Sequence, residues 1–439
     1  MNFVDSVNYL YSLGHEVLAA KYGLEGMQLL LEELGNPQRS FKSVLVAGTN
    51  GKGSVSAMID SIARMAGHRT ALYTSPHLVR IQERIRVGGE EISEADFARV
   101  ATDVRAAGER LVESGALSTV PTFFEQVTAV ALKYFGERSP DLAVLEVGLG
   151  GRLDATNTVE AVVSVITSID LDHQDVLGGT IEEIAEEKAA VIKPGGRAVI
   201  GRQQHQAAVE VCMRRCLEVR VLPAFANRPS IIGANNLGRV SFDYESSRSS
   251  YTNLVVGLRG RHQADNAAAA VEACERLNEA GITIFREAIV KGLREVKWPG
   301  RIELIDDRPA ILLDGAHNIA GARSLRKFLA EFCDAPTTLL FGAMRDKDID
   351  AMARELFDAA RTIVLTQVKD PRAATGPLLA KPALVSSRNV IFTESVRQAL
   401  SWARSVTPPE GLVCVAGSLH LVGEVKRLLE EEESQSAVV

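Results

Sequence analysis

The sequence has few cysteines, few aromatics, no long apolar run and no block of one charge, and each shortage excludes a class of protein. Its five cysteines, at 212, 216, 274, 333 and 414, are scattered and odd in number, which argues against a disulfide-stapled scaffold and for reduced thiols in a cytoplasm. Cys212 and Cys216 lie one helical turn apart, but no second Cys/His pair follows at metal-ligand spacing, so buried helix packing is expected. No segment approaches the roughly 18 uninterrupted apolar residues of a membrane helix, so a soluble protein is expected. The first residues place Asp5 early, show no Lys or Arg ahead of their apolar positions and lack a small-residue cleavage site, and so read as structure. There is no Lys/Arg block and no interleaved aromatic stripe, and 56 acidic against 49 basic residues leave a net charge of -7, which excludes general nucleic-acid binding. A small anionic substrate stays open, because local Arg, Lys, metal ions and helix N-termini decide that.

The 439 residues are 46% hydrophobic and 24% charged, close to a globular average. At roughly 150 residues per domain they suggest two or three packed units. From Phe41 onward β-rich runs alternate with helical stretches: FKSVLVAG, a Gly-rich turn, the helical SVSAMIDSIARMAG and the strand-like TALYTS form a β-loop-α-β unit. LAVLEVG and AVVSVITSI lack polar alternation and read as buried parallel strands. VKWPGR, from Val296 to Arg301, carries a Pro-Gly pair between a charged helical stretch and a fresh strand-helix alternation, so a boundary is expected there, with domains 1–297 and 298–439. Beyond it AILLDGAH, TTLLFGAM, RTIVLTQV and GLVCVAGS predict a smaller, Rossmann-like α/β domain with parallel strands. Between about Arg220 and Leu258 short β-like runs among Asn, Ser and Gly predict antiparallel strands within the first domain, and the acidic tail EEEESQSAVV a fraying, solvated end.

Gly48-Thr49-Asn50-Gly51-Lys52-Gly53-Ser54 follows the first strand and opens a helix. Glycines there let backbone N–H groups turn toward a phosphate, and the helix dipole adds to the attraction. Lys52 can reach β and γ phosphates, and Ser54 offers a hydroxyl near Mg²⁺. Gly53 stands where the strict Walker pattern has Ser or Thr, so the motif is met approximately. Glu146 breaks an apolar strand near its C-terminal end, where parallel α/β sheets place ligand groups, and the next strand ends in Asp170-Leu171-Asp172-His173. Glu146 and a serine hydroxyl suit Mg²⁺, whereas a histidine is an uncommon donor to it and is more often a hydrogen-bonded structural residue. Lys188, after Glu186 and Glu187, reads by itself as a solvent-exposed helix ion pair. Asp314 and Asn318, in DGAHN, sit where helix capping alone explains them. Thr122-Phe123-Phe124-Glu125 offers two aromatic rings and polar groups for a flat ring, or simply core at the start of a helix.

Taken together, GTNGKGS from Gly48, SPHL from Ser75, FFEQVTA from Phe123, LEVGLGGRLDATN from Leu145, SIDLDHQDVLG from Ser168 and LLDGAHN from Leu312 resemble, nearly end to end, the folylpolyglutamate synthase/dihydrofolate synthase family of the Mur ligase superfamily. The resemblance implies an α/β fold with a phosphate-loop central domain of Mur-ligase type. It implies that Gly51, Lys52, Gly53 and Ser54 hold ATP phosphates, that Asn266, Arg301 and Asp314 also bind ATP, and that Ser75, Glu146 and His173 lie at magnesium sites. It maps pterin binding to Thr122, Phe123, Phe124, Glu125, Leu153, Asp154 and Ala155, and His317 to the amino-acid acceptor. Lys188 corresponds to a family lysine that can be carbamylated to ligate a second magnesium.

The implied reaction is ATP-dependent ligation of L-glutamate to dihydropteroate and to reduced folates through an acyl phosphate, with Lys52, Lys188 and His317 as catalytic groups, by a cytoplasmic monomer. Two rivals are weighed against it. A Mur-type ligase for a cell-wall nucleotide precursor shares the chemistry, but a phosphate loop beginning at residue 48 leaves no room ahead of it for a sugar-nucleotide domain. A nonenzymatic nucleotide-binding switch offers no reason for Glu146, His173 and Lys188 together.

Overall fold

In the computed structural model, residues 1–14, 23–305, 307–383 and 388–436 are described. By its contacts the chain divides into two compact units, one comprising 1–230, 242–255 and 265–296, the other 231–241, 256–264 and 297–439.

The first unit is built on eight strands: β1 (Lys42–Ala47), β2 (Thr70–Tyr73), β3 (Ile85–Val87), β4 (Glu90–Glu91), β5 (Leu142–Glu146), β6 (Ala161–Ile166), β7 (Ala198–Ile200) and β8 (Pro223–Phe225). Their order is β4-β3-β2-β5-β1-β6-β7-β8. Pairing is parallel from β2 to β8, with β3 and β4 added antiparallel at one edge. All of β5, and β1 after its first residue, is buried, as expected of Val- and Leu-rich strands covered on both faces. β1 lies between β5 and β6, pairing Val46 with Glu146 and Ala47 with Ile166, so three strand ends open side by side. Cys212 and Cys216 are buried in the helix Gln206–Glu218.

Residues 230–259 form a separate three-stranded sheet of β9 (Ser230–Ala234), β10 (Arg239–Glu245) and β11 (Ser250–Arg259), in the order β11-β10-β9. Tight turns at 235–238 and 246–249, the second closed by Ser246 N–H on Ser249 O, make it a meander.

The second unit carries β12 (Glu303–Ile305), β13 (Ala310–Leu313), β14 (Thr337–Phe341), β15 (Thr362–Thr366), β16 (Asn389–Thr393) and β17 (Leu412–Ala416), in the order β12-β13-β17-β14-β15-β16. Only β12 runs antiparallel. Both sheets share a device: the first two parallel strands in sequence are set one place apart, and a later strand fills the gap. β5 separates β1 from β2, and β17 separates β13 from β14. Such crossovers leave a crevice at the C-terminal strand ends, where ligands bind in open α/β sheets.

The acidic tail departs from expectation. Glu430–Glu433 continue the helix Leu419–Ser436, because Glu431 pairs with Arg397 at 2.9 Å and Glu432 with Arg404 at 2.7 Å; residues 437–439 lie outside the described residues. No helix is long and apolar enough to cross a membrane among the described residues.

Candidate active site

The loop after β1 curls through Gly48, at φ 145°, and Gly51, at φ 91°, into the helix Lys52–Met65. Gly51 is required twice over: its backbone is left-handed, and a Cβ there would fall 2.4 Å from Asn266 Oδ1. Asn266, on the helix His262–Glu279, therefore rests directly on the phosphate loop. Gly53 and Ser54 are buried in the first helical turn. Lys52 Nζ donates to Gly48 O at 3.1 Å and Thr49 O at 3.2 Å, so its ammonium lies inside the curl.

Thr49 joins this loop to the one after β6. Its N–H donates to Ser168 O at 2.8 Å, its hydroxyl donates to Asp170 O at 3.0 Å, and Asp170 N–H donates back to that hydroxyl at 3.1 Å. Beyond the splice Asp172 is buried and accepts His173 N–H at 2.9 Å. His173 itself takes a left-handed backbone at φ 50°, sparsely populated for a non-glycine residue. On the other side of β1, Glu146 is 5% exposed and accepts Ser75 N–H at 3.2 Å. Phosphate loop, Glu146 with Ser75, and Asp172 with His173 thus occupy three adjacent strand ends.

Lys188 overturns the surface ion-pair reading. It is 4% exposed, on the buried face of the helix Ile181–Ala189, and its Nζ donates to Gly48 O at 3.0 Å. Its acidic neighbours pair elsewhere, Glu186 with Arg214 at 2.6 Å and Glu187 with Arg152 at 2.8 Å. Burial first, and the Lys52 ammonium second, push the Lys188 pKa down to about 7, against the pull of Asp172, Asp154 and Glu187. Two lysines on one carbonyl cannot both stay charged cheaply, and the charge is disfavoured on the more buried one. The helix is seated by the loop after β5: Arg152 N–H donates to Glu187 O at 2.9 Å, and a Cβ on Gly151 would fall 2.6 Å from that same oxygen.

The segments that the resemblance maps to pterin binding lie on the loop after β5 and at the start of the helix Phe123–Arg138. Asp154 turns its carboxylate onto its own loop, accepting from Gly148 N–H, Leu149 N–H, Thr156 N–H and the Thr156 hydroxyl, and burial raises its pKa. Ala155 is buried and Leu153 half-buried beside it. Thr122 caps the helix Phe123–Arg138, and the Glu125 carboxylate accepts both its N–H and its hydroxyl at 2.8 Å. Phe123 and Phe124 are 3% and 7% exposed.

In the second unit Asp314, at the end of β13, accepts Ile302 N–H at 2.9 Å and Ala316 N–H at 3.0 Å; burial raises its pKa and Arg301 opposes that. Arg301 fills the space left by Gly315, where a Cβ would meet Nη1 at 2.4 Å. The His262 pKa is pushed down to about 4 by burial and by Arg301. His317 Nδ1–H donates to Gly315 O at 2.8 Å, which leaves Nε2 as the acceptor nitrogen.

Sequence reasoning left Thr49 and Asp172 without roles. The signal for Thr49 was present in its adjacency to the loop glycines, but its partner lies 121 residues away. Thr49→Val keeps the shape and removes the splice, so we expect about a tenfold loss of kcat/KM for ATP with little change in melting temperature, and recovery in Thr49→Ser. An unimpaired Thr49→Val in steady-state kinetics would show the splice to be dispensable.

Among the described residues no three His, Cys, Asp or Glu side chains gather as a metal cluster. Glu146 and the Ser75 hydroxyl are oxygen donors of the kind Mg²⁺ takes, an ion that keeps several waters and shares nucleotide phosphates, while His173 would add a nitrogen donor uncommon for it.

The Mur ligase middle-domain family matches residues 46–274, and the family described as Mur ligase, glutamate ligase domain matches residues 300–419. The chain is 33% identical over 425 residues to the dihydrofolate synthase/folylpolyglutamate synthase of Bacillus subtilis, covering 95% of this chain and 97% of that one. It is 36% identical over 432 residues to the folylpolyglutamate synthase of Lacticaseibacillus casei, covering 98% and 99%. Among solved structures, E. coli FolC in complex with DHPP and ADP superposes with a TM-score of 0.87 at 29% identity, covering 99% of each chain. A bifunctional folylpolyglutamate synthase/dihydrofolate synthase with Mn, AMPPNP and L-glutamate bound gives a TM-score of 0.84 at 30% identity, covering 98% of each.

Proposed function

Because this chain belongs to the folylpolyglutamate synthase/dihydrofolate synthase family of Mur ligases, we propose that it joins L-glutamate to dihydropteroate and to reduced folates at the expense of ATP. The observation that carries the reading is the convergence of Lys52 and the buried Lys188 on the Gly48 carbonyl, beside Glu146. A nucleotide-binding switch needs the first lysine and not the second.

A carboxylate is a poor electrophile, and phosphorylation by ATP turns it into an acyl phosphate with a good leaving group. Lys52 and the N–H groups of residues 51–54 bind the phosphates, and their positive potential is aimed at charge that spreads over the transferring group. Glu146, Ser75, His173 and a carbamylated Lys188 would hold two magnesium ions, which supply charge neutralisation when bound. Asn266 seats the nucleotide against Gly51, and the family likeness assigns ATP contacts to Arg301 and Asp314 as well. His317 Nε2 takes a proton from the glutamate ammonium, freeing the amine to attack the acyl carbon as phosphate leaves.

The five cysteines are free thiols, which suits a cytoplasmic setting, and light scattering should find a monomer. Relatives differ in name between one activity and two. Glutamate-dependent ADP release, with products identified by mass, is expected with both dihydropteroate and tetrahydrofolate. Turnover of tetrahydrofolate alone would reject the double activity and leave the ligase standing.

A further inference from the structure

We propose that the second unit carries a binding site for a small organic anion with two or more carboxylates, between the helices Val396–Val406 and Leu419–Ser436 and the segment leading into β13. The cavity there measures about 390 Å³, within the roughly 300–1,000 Å³ of small-molecule sites. The first helix turns one stripe of its surface toward it, because Arg397, Leu400 with Ser401, and Arg404 follow one another at three- and four-residue spacing. Leu428 and Glu432, four residues apart, face it from the second helix, and Arg308 with Pro309 closes it from the chain before β13.

Leu400 and Leu428 are buried and, with Pro309, give the cavity an apolar floor. Three guanidinium groups and one carboxylate stand around that floor, so the lining keeps two positive charges in excess. Arg404 is held in place, with Nη1 donating to Glu432 and Nη2 to Asp307, each at 2.7 Å. Its Nε–H is buried and has no partner among the described residues, so these two carboxylates do not exhaust it. Arg397 shares Glu431 with Arg427, at 2.9 and 2.8 Å, and one exposed carboxylate divided between two cations neutralises neither. Arg308 is exposed, and only its backbone N–H meets a carboxylate among the described residues, that of Asp307 at 2.7 Å.

Guanidinium forks match a carboxylate two oxygens at a time, and the apolar floor suits a hydrocarbon stem between two such groups, which an inorganic ion lacks. The cavity also lies at the far end of β13 from the groups assigned to ATP and the acceptor. Pro309 precedes the strand and Asp314 follows it, and four residues at ~3.3 Å each put about 13 Å between them. Two sources supply this chemistry. One is a free tricarboxylate; the other, which rests on the folate reading above, is the γ-linked glutamate tail that the proposed reaction would lengthen.

The test is isothermal titration calorimetry on the full chain, at fixed ionic strength and without Mg²⁺, using citrate, γ-glutamylglutamate and inorganic phosphate in separate titrations. One saturable site is expected for citrate, for the dipeptide or for both, and whichever binds identifies the source. Ser401→Glu adds a like charge to the cavity and leaves every arginine in place; Ser401 is exposed and glutamate is a good helix former, so the fold is kept. That variant and the double variant Arg308→Gln/Arg397→Gln are each expected to weaken binding at least about tenfold. Arg427→Gln, outside the lining, is expected to bind within about twofold of wild type. Saturable heat from neither carboxylate compound, binding of phosphate alone, or equal binding by Ser401→Glu and wild type overturns the proposal. A chain that ligates no folate yet binds citrate here leaves the site standing and removes only the tail as its source.

Discussion

Lys52→Ala is expected to cut kcat/KM for amide formation about 10³-fold, or ~4 kcal/mol of transition-state stabilisation, while the protein melts near the wild-type temperature. The ammonium sits within the curl of the phosphate loop on two carbonyls, Gly48 O and Thr49 O, and its side chain is only partly buried. Alanine is a good helix former at this first helical position, so the fold loses little. On the proposed reading, what is lost is a positive charge aimed at the transferring phosphoryl group. A second consequence is specific to this site. Lys52 is the second cause of the lowered Lys188 pKa, so its removal should raise that pKa, visible by NMR titration of the Lys188 side chain. Near-normal turnover in Lys52→Ala would sink the assignment.

The phosphate loop and both parallel sheets are legible in the sequence because their signals are local: a Val-rich run, glycines at fixed offsets, a helix at once. Glu146 is legible for a related reason, as one charge in an apolar strand must face something at the strand end. Lys188 is not legible from its own surroundings, since a helix reading IEEIAEEKA looks solvated on most of its surface. Its burial follows from the glycine run after β5, where Gly151 lets that loop come down onto the backbone of Glu187. Asp154 is legible from its motif, whereas the way its oxygens accept four donor groups of its own loop is not. The residues 231–241 and 256–264 group with the second unit through contacts far apart in sequence, which no window of local pattern contains. Thr49 belongs to the same class, as its partner Asp170 lies 121 residues away.

Lys188→Ala is expected to lower turnover by at least about a hundredfold, with part of it restored by added acetate or formate. The geometry separates the two chemistries open to this side chain. A buried lysine is held as an ammonium best by a carboxylate in contact, and the contact Lys188 makes is a carbonyl shared with another lysine. A pKa of about 7 instead leaves much of the amine neutral at physiological pH, and its lone pair can attack CO₂ to give a carbamate with release of one proton. That conversion turns a buried cation beside Lys52 into an anion able to ligate magnesium. In CO₂-depleted buffer the sign of the pH effect follows from linkage. The unfolded lysine binds its proton up to its usual pKa of 10.5 and the folded one only up to about 7, so the unfolded chain holds more protons between those values. Stability from this site is therefore full above the upper value and is lost as pH falls through the window, and Lys188→Met should flatten that slope in chemical denaturation. Supplying bicarbonate should raise activity in the wild type and leave Lys188→Met unmoved. Carbon-13 NMR with labelled CO₂ should then show one carbamate resonance that Lys188→Met lacks. Absence of that resonance, with no rescue by either small carboxylate, would leave Lys188 as a charged partner of the phosphates and remove the second magnesium from the mechanism.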